Sequence, residues 1–288
     1  ARRCIMSILT IKNLNKTYPT FSLKNVSFSL EPGYIMGFIG KNGAGKTTTI
    51  KSIYKIIHFD SGEISLLGKK LEKYNEVELK QDISLMLGGL DIYSNHNLAT
   101  IKKAIKPFYI NFDEEKYQSL MHKFSLNEQK KFKELSNGMK TKFLLTLAMS
   151  HHAKLLILDE PTSGLDPFSR DEILSEFQNY IKDGQHSILF STQIISDLES
   201  IADYITYIKD GSIVLSDEKD AFINHYRLVN CSKDDARQIP DDIIVGKKES
   251  SCSFESLIKT KDKDRLPSSV LLSVPTIENI MILTERGK

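Results

Sequence analysis

A glycine-rich stretch at residues 40–48, Gly-Lys-Asn-Gly-Ala-Gly-Lys-Thr-Thr, carries the side chains best suited to chemistry in this chain. Its spacing fits G-x-x-x-x-G-K-[ST], in which glycines let the backbone bend so that successive N–H groups converge on an anion. Lys46 would reach the β- and γ-phosphates of a nucleotide, and the Thr47 hydroxyl would ligate Mg²⁺. The motif predicts phosphate binding by Gly40, Asn42, Gly43, Gly45, Lys46, Thr47 and Thr48.

The sequence on either side of this loop supplies the elements that the motif needs. Residues 34–39 form a nearly continuous apolar run, which is typical of a buried strand in a parallel sheet. After the loop, apolar residues recur at helical spacing and predict an amphipathic helix: Ile50, Ile53, Tyr54 and Ile57. A chance match in an ordinary βα turn is therefore the weaker alternative.

Two carboxylates end a second apolar run, at residues 155–160. Asp159, at the end of this predicted strand, is placed to hold Mg²⁺ directly or through a water, and Glu160 could polarise an attacking water. An Asp-Glu pair at a strand end is often only the entry to a loop, but downstream of a phosphate loop we prefer the metal and water roles. A further predicted strand, residues 187–190, ends close to Gln193, at a sheet edge where ligands collect.

Two other positions are candidates on local grounds. Ser136 is the predicted N-cap of an apolar helix, and with Gly138 beside it the helix start is a second possible anion site, although a plain helix start is the simpler interpretation. Tyr18 lies in a predicted connection between strands, where its ring could stack on a base. A lone loop tyrosine is more often a surface residue.

Composition limits the function classes. A chain of 288 residues can hold one large domain or a domain plus an appendage. The net charge of +2 gives no reason to expect nucleic acid as a partner. Three scattered cysteines without metal spacing favour a reducing cytosolic compartment. No apolar run approaches the ~20 residues that span a bilayer, so we expect a soluble protein that could dock on a membrane protein.

The patterning predicts an α/β fold in two parts, residues 1–222 and 223–288. Residues 8–14 and 26–30 alternate apolar and polar, which predicts antiparallel strands before the phosphate loop. Residues 88–150 form a predicted helical insert after a strand at 83–87, and Asp210-Gly211 predicts a hairpin. After residue 223 the chain is more polar and is interpreted as a small α/β appendage with apolar runs at 243–245 and 269–274.

Over about residues 8–217 these motifs resemble the ATP-binding subunit of ABC transporters. Residues 40–48 match the Walker A loop, 135–139 the signature, 155–160 the Walker B strand with its catalytic glutamate, and 163–166 the D-loop. The resemblance implies a P-loop NTPase fold: a RecA-like core, an antiparallel β subdomain and a helical subdomain. It also implies ATP and Mg²⁺ as cofactors and makes Tyr18 the residue that stacks on adenine.

The same resemblance implies partners. Two ATPase subunits, identical or different, would sandwich two ATP molecules, with Ser136 and Gly138 of one chain touching the γ-phosphate held by the other. ATP would then close the dimer and hydrolysis would release it. An integral membrane transporter subunit would hold the protein at the cytoplasmic face of the cell membrane. Residues 275–280 are similar to the tails of bacterial exporters of antibiotics, lantibiotics and membrane-active peptides such as phenol-soluble modulins.

Two positions depart from the family pattern. Gly88 stands where the family usually has a glutamine, and Gln193 where it usually has a histidine. Gln193 can hydrogen-bond a phosphate but cannot carry a positive charge. Either the site hydrolyses slowly, or Gln193 is an introduced change, or Glu160 suffices. The leading hypothesis is an ATPase that drives export, the alternative is an ATP-dependent dimerisation switch with weak hydrolysis, and a soluble cassette of translation or repair is disfavoured.

Overall fold

The computed structural model describes residues 6–87, 94–250, 253–267 and 270–287. The chain divides into two compact units, Ala1–Val214 and Leu215–Lys288. The division lies before residue 222, where the change in composition places the boundary. Within the second unit, Asp217 Oδ2 and His225 Nε2, which lie on either side of the predicted boundary, are 2.9 Å apart. Composition therefore marks the division only approximately.

The first unit contains the elements that carry the motifs. Its strands are β1 (Leu9–Tyr18), β2 (Phe21–Leu30), β3 (Ile35–Ile39), β4 (Ser61–Leu66), β5 (Lys69–Lys70), β6 (Ile83–Met86), β7 (Leu155–Asp159), β8 (Ser187–Thr192), β9 (Tyr204–Lys209) and β10 (Ser212–Glu218), which crosses the division. Its helices are α1 (Lys46–Ile53), α2 (Glu76–Asp82), α3 (Leu98–Ile105), α4 (Glu114–Lys123), α5 (Asn137–Met149), α6 (Pro167–Tyr180) and α7 (Ile195–Ile201). The second unit contains α8 (Lys219–Asn224), β11 (Tyr226–Cys231), α9 (Lys233–Ala236), β12 (Ile244–Glu249), β13 (Phe254–Lys259), β14 (Leu271–Ser273) and α10 (Ile277–Arg286).

A six-stranded sheet in the order β10-β9-β3-β8-β7-β6 lies at the centre of the first unit. β3 pairs in parallel with β8 and β9, and β7 pairs in parallel with β6 and β8. Every residue of β3, β7 and β8 is buried, as their apolar runs predict. Because parallel strands end at the same edge of a sheet, the ends of these three strands bring the glycine loop, Asp159 and Ser191 together.

A second, antiparallel sheet has the order β2-β1-β4-β5. Val26, Phe28 and Leu30 of β2 are buried while Ser27 and Ser29 are exposed, which confirms the alternation predicted for this strand. This sheet shares a hydrophobic core with the central sheet and with α1. The antiparallel sheet therefore supports the start of α1, where the glycine loop ends.

Helices α3, α4 and α5 lie between β6 and β7 and form the predicted helical part. They share a core of Leu98, Ile101, Tyr117, Met121, Phe132, Leu135, Phe143 and Leu147. Asp113 caps α4 and accepts a hydrogen bond from Lys116 N at 2.8 Å. The predicted coupling position Gly88 lies outside the described residues.

The second unit is a four-stranded antiparallel sheet, in the order β12-β13-β11-β14, with three helices. The apolar run at 243–245 overlaps the start of β12, and β14 lies within the run at 269–274. Strands β11 and β13 have no counterpart in the sequence interpretation, because Asn230 and Ser256 interrupt their apolar residues. Thr276 caps α10 and accepts a hydrogen bond from Asn279 N at 3.1 Å.

Candidate functional site

The glycine loop joins β3 to α1, as its sequence context predicts. Gly43 and Gly45 have φ of 82° and 116°, a region that side chains with a Cβ rarely adopt. A Cβ on Gly40 would lie 2.4 Å from Ile208 O of β9, so this position has no room for a side chain. Helix α1 is shorter than predicted, since it ends at Ile53 rather than near Ile57. The turn that follows it contains Lys55 at a φ of 58°.

Lys46 is folded over the loop rather than extended into solvent. Its Nζ donates to Gly40 O at 2.7 Å and to Lys41 O at 3.2 Å, and its side chain is 5% exposed. The same Nζ lies 3.7 Å from Glu160 Oε1. Burial lowers the pKa of Lys46, and the carboxylates of Glu160 and Asp159 oppose that shift. A phosphate placed in this loop would add the negative charge that a buried ammonium group requires.

Asp159, the last residue of β7, joins the loop to β8. Its Oδ2 accepts from Thr47 Oγ1 at 2.8 Å, and its Oδ1 accepts from Ser191 Oγ at 2.5 Å. The Thr47 and Asp159 oxygens form the kind of hard donor set that suits Mg²⁺ when phosphate and water oxygens complete it. Within the described ranges no group of three or more His, Cys, Asp or Glu side chains could hold a metal ion.

Glu160 has an unusual backbone conformation, with φ at 50°. Its N–H donates to Ser191 O at 3.1 Å and to Ser191 Oγ at 2.9 Å, and these bonds hold the residue in a region that is strained for anything but glycine. Its side chain remains 28% exposed at the cavity. Ser191 was not among the predicted site residues, yet it fixes both carboxylate residues at the end of β7.

An open cavity of about 240 Å³ lies at this edge of the sheet. It is lined by Phe21, Lys41, Asn42, Gly43, Gly45, Lys46, Thr47, Thr48 and Glu160. The structure thus brings most of the predicted phosphate-loop residues and the predicted catalytic carboxylate to one place.

The aromatic ring that lines this cavity is Phe21, not Tyr18. A Cβ on Gly45 would lie 2.9 Å from Phe21 Cζ, so the phenyl ring packs directly against the loop. Tyr18 ends β1, is 38% exposed, and has the Lys16 ammonium 5.4 Å from its ring centroid. Base stacking by Tyr18 therefore stays a prediction. Phe21 could have been suspected because it lies three residues after Tyr18 in the same predicted connection, which the structure shows to be the start of β2.

Six predicted site residues are absent from the cavity lining in the described structure: Tyr18, Gly40 and Asp159, treated above, and Gln193, Ser136 and Gly138. Gln193 follows β8 and is exposed. Ser136 caps α5, accepting from Met139 N at 3.2 Å, as predicted. Gly138, in the first turn of α5, is buried, and a Cβ there would lie 3.1 Å from Ser169 Oγ. Their roles toward a nucleotide stay predictions.

Comparisons with known proteins agree on one family. A family model described as ABC transporter matches residues 23–163. The chain is 33% identical to the ABC transporter ATP-binding protein YtrB of Bacillus subtilis (strain 168), over 66% of this chain and 65% of that protein. It is 30% identical to the lantibiotic transport ATP-binding protein SrtF of Streptococcus pyogenes, over 77% of this chain and 96% of that protein. A solved structure of an ATP-binding subunit of an ABC transporter aligns with a TM-score of 0.68 at 26% identity, over 75% of this chain and 91% of that one.

The fold and the site define a nucleotide-binding P-loop ATPase. The chain belongs to the ABC transporter family, as one of its ATP-binding subunits. None of the helices in the described parts of the chain combines the length and apolarity that a membrane crossing requires.

Proposed function

We propose that this ATPase powers the export of a peptide or antibiotic-like substrate through separate membrane subunits. The observation that carries the chemistry is the meeting of Lys46, Thr47 and Glu160 at one cavity, with Asp159 hydrogen-bonded to Thr47 behind it. Family membership supports a transport complex with membrane subunits. The likeness to SrtF, which is named as a lantibiotic transport protein, supports the substrate class.

Each residue of the site has a separate proposed role in the binding or hydrolysis of ATP. The loop N–H groups and Lys46 would hold the β- and γ-phosphates of ATP. Thr47 and Asp159 would hold Mg²⁺, Asp159 directly or through a water, and the ion would neutralise charge on the transferred phosphoryl group. Glu160, at the mouth of the cavity, would orient the attacking water and take its proton. Gln193 would donate its amide N–H to the γ-phosphate.

A second ATPase subunit, identical or different, would complete each site. Ser136 is exposed and caps α5, so the start of this helix is available to an anion bound on another chain. ATP would then hold two subunits together, and loss of the γ-phosphate would weaken the contact. With its membrane subunits, the protein would lie at the cytoplasmic face of the cell membrane.

Reconstitution tests this function. The chain and its membrane subunits, placed in sealed vesicles with the ATPase outside, should accumulate a labelled antimicrobial peptide inside the vesicles when ATP and Mg²⁺ are supplied. The complex carrying Lys46→Ala is the matched control and should accumulate none. Hydrolysis without any peptide movement would leave the ATPase intact and remove the export assignment. Release of peptide that was loaded into the vesicles beforehand would show that the complex transports in the opposite direction.

The alternative is an ATP-dependent dimerisation switch with weak hydrolysis, favoured by Gln193 at the histidine position. Single-turnover measurements separate the two functions. ATP-driven dimerisation with almost no release of phosphate supports the switch, whereas release at a rate that matches transport supports the exporter.

A further inference from the structure

A buried carboxylate outside the cavity lining contacts the loop that follows Glu160. Asp197 lies in the first turn of α7, is 0% exposed, and accepts a hydrogen bond at Oδ2 from Thr162 Oγ1 at 2.5 Å. Thr162, two residues after Glu160, is also 0% exposed. The hydroxyl and the carboxylate therefore meet in the interior, where a polar group without a partner is costly.

The second oxygen of this carboxylate faces a cation on the far side of the same loop. Asp197 Oδ1 lies 3.9 Å from Arg170 Nε, and within the described structure neither atom has a hydrogen-bond partner. Arg170 stands in the first turn of α6, and its N–H donates to the O of Asp166, the N-cap of that helix, at 3.0 Å. Asp197 thus faces one residue near the start of the loop 160–166 and another just beyond its end.

Burial raises the pKa of the Asp197 carboxyl, while Thr162 and Arg170 oppose the rise. An apolar residue would fill this interior position without the cost of a buried acid. The two residues that compensate this buried acid are Thr162 and Arg170. Thr162 belongs to the segment that carries Glu160, and Arg170 follows directly from it. Asp197 itself lies four residues after Gln193 in the chain.

The loop between these contacts has little freedom of its own. Ser163 N donates to Glu160 O at 3.2 Å, and Leu165 N donates to Thr162 O at 3.3 Å, so the segment is a succession of tight turns. Glu160, with its left-handed φ, is fixed on one side by Ser191 and on the other by the turn that contains Thr162. A shift of Thr162 would therefore be passed to Glu160 through a short, hydrogen-bonded backbone.

We propose that Asp197 is a positioning residue for ATP hydrolysis, which sets the orientation of Glu160 by holding Thr162 and Arg170. The proposal rests on the hydrolytic role given to Glu160 above. It requires no contact between Asp197 and the nucleotide. Because neither Asp197 nor Thr162 lines the described cavity, the phosphate contacts of Lys46 and Thr47 stay in place when the bond is lost. Loss of the bond should therefore lower the turnover of ATP without lowering the affinity for ATP.

The test uses the complex with its membrane subunits and compares Thr162→Val with Thr162→Ser. Valine removes the hydroxyl and keeps the shape, whereas serine keeps the hydroxyl. Thr162→Val should lower kcat by about tenfold to a hundredfold, the scale of a misplaced catalytic group, with the Kd for ATP within about twofold of wild type. Thr162→Ser should restore most of the lost turnover.

A matched control corrects for general loss of packing. Thr146 is also 0% exposed, and its Oγ1 donates to Lys142 O at 2.8 Å within α5. Thr146→Val should leave kcat per folded molecule unchanged. Asp197→Ala should lower kcat at least as far as Thr162→Val, and adding Thr162→Val to it should have little further effect, since both remove one interaction. If Asp197→Ala does not fold, the valine and serine pair carries the test.

The outcomes separate this proposal from the proposed function. Wild-type turnover in Thr162→Val overturns the positioning role and leaves the ATPase assignment standing. A fall in ATP affinity equal to the fall in kcat also overturns it, because the bond would then serve the binding site. A wild-type complex that binds ATP and never releases phosphate overturns both.

Discussion

Lys46 Nζ and Glu160 Oε1 lie 3.7 Å apart, which joins the phosphate-binding loop directly to the carboxylate that ends the neighbouring strand. The two groups belong to different parts of the chain, and the parallel pairing of β3 and β7 with β8 brings them together. A γ-phosphate would compete with Glu160 for the Lys46 ammonium. Arrival of the substrate would therefore release Glu160 toward the water that we propose it orients.

Glu160→Gln should keep ATP binding and reduce hydrolysis by about 10²–10⁴-fold. The amide matches the carboxylate in size but cannot take a proton from water. It also removes a negative charge close to the γ-phosphate, so the ATP-bound dimer should accumulate. Phosphate release in a single turnover, together with size-exclusion chromatography in the presence of ATP, measures both effects.

Lys46→Ala is the comparison for that variant. Loss of the buried ammonium removes a charge-assisted hydrogen bond and leaves the Glu160 carboxylate facing the phosphates, so ATP affinity should fall by about a hundredfold or more. Equal loss of binding in the two variants would contradict the separate roles of Lys46 and Glu160. Equilibrium titration with a fluorescent ATP analogue decides between the two results.

Tyr18 and Phe21 should respond differently to truncation. Tyr18→Ala should weaken ATP by about 1–3 kcal/mol, the range for one base stacked on an aromatic ring, and leave the affinity for inorganic tripolyphosphate unchanged. Phe21→Leu should weaken both ligands, because this ring packs against Gly45. If Tyr18→Ala binds ATP as the wild type does, the stacking role passes from Tyr18 to another residue.

The sequence predicted the parts of this site that short patterns encode. The glycine loop, the Asp159 strand end and the Ser136 cap all depend on residues close to one another in the chain. Ser191 and Asp197 were missed, because each acts on a residue about thirty positions away through strand order and helix packing. Their side-chain types are too common at strand ends and helix starts to indicate such contacts.

The same limit applies to the strands. β3 and β7 were evident because burial on both faces requires continuous apolar runs. β11 and β13 were missed, since a small sheet with one covered face tolerates polar residues such as Asn230 along its strands. The sequence predicted helix α1 to be longer than it is, because Ile57 fits the helical spacing. The left-handed conformation of Lys55, which follows the end of the helix, cannot be recognised from the spacing of apolar residues.

Gln193→His should raise steady-state hydrolysis by about tenfold. A protonated imidazole would offer the γ-phosphate a cationic donor where the amide offers an uncharged one, a difference of about 1–1.5 kcal/mol. The gain should be larger below about pH 6.5, where the imidazole is protonated, than at pH 8. Malachite-green assays across this pH range measure it, and an unchanged rate at every pH would remove position 193 from the mechanism.

Gly45→Ala and Gly43→Ala form a pair that separates backbone strain from steric exclusion. Both glycines have positive φ, so each substitution should cost about 1–2 kcal/mol in the free energy of unfolding. A Cβ at Gly45 would also lie 2.6 Å from Leu23 Cδ2, whereas nothing stands within 4 Å of one at Gly43. Gly45→Ala should therefore cost about 1–3 kcal/mol more than Gly43→Ala, measured by urea unfolding. It should also displace the Phe21 ring and weaken ATP binding further. Equal unfolding free energies for the two variants would mean that Leu23 and Phe21 of β2 move aside without cost. That result would contradict their close packing against Gly45.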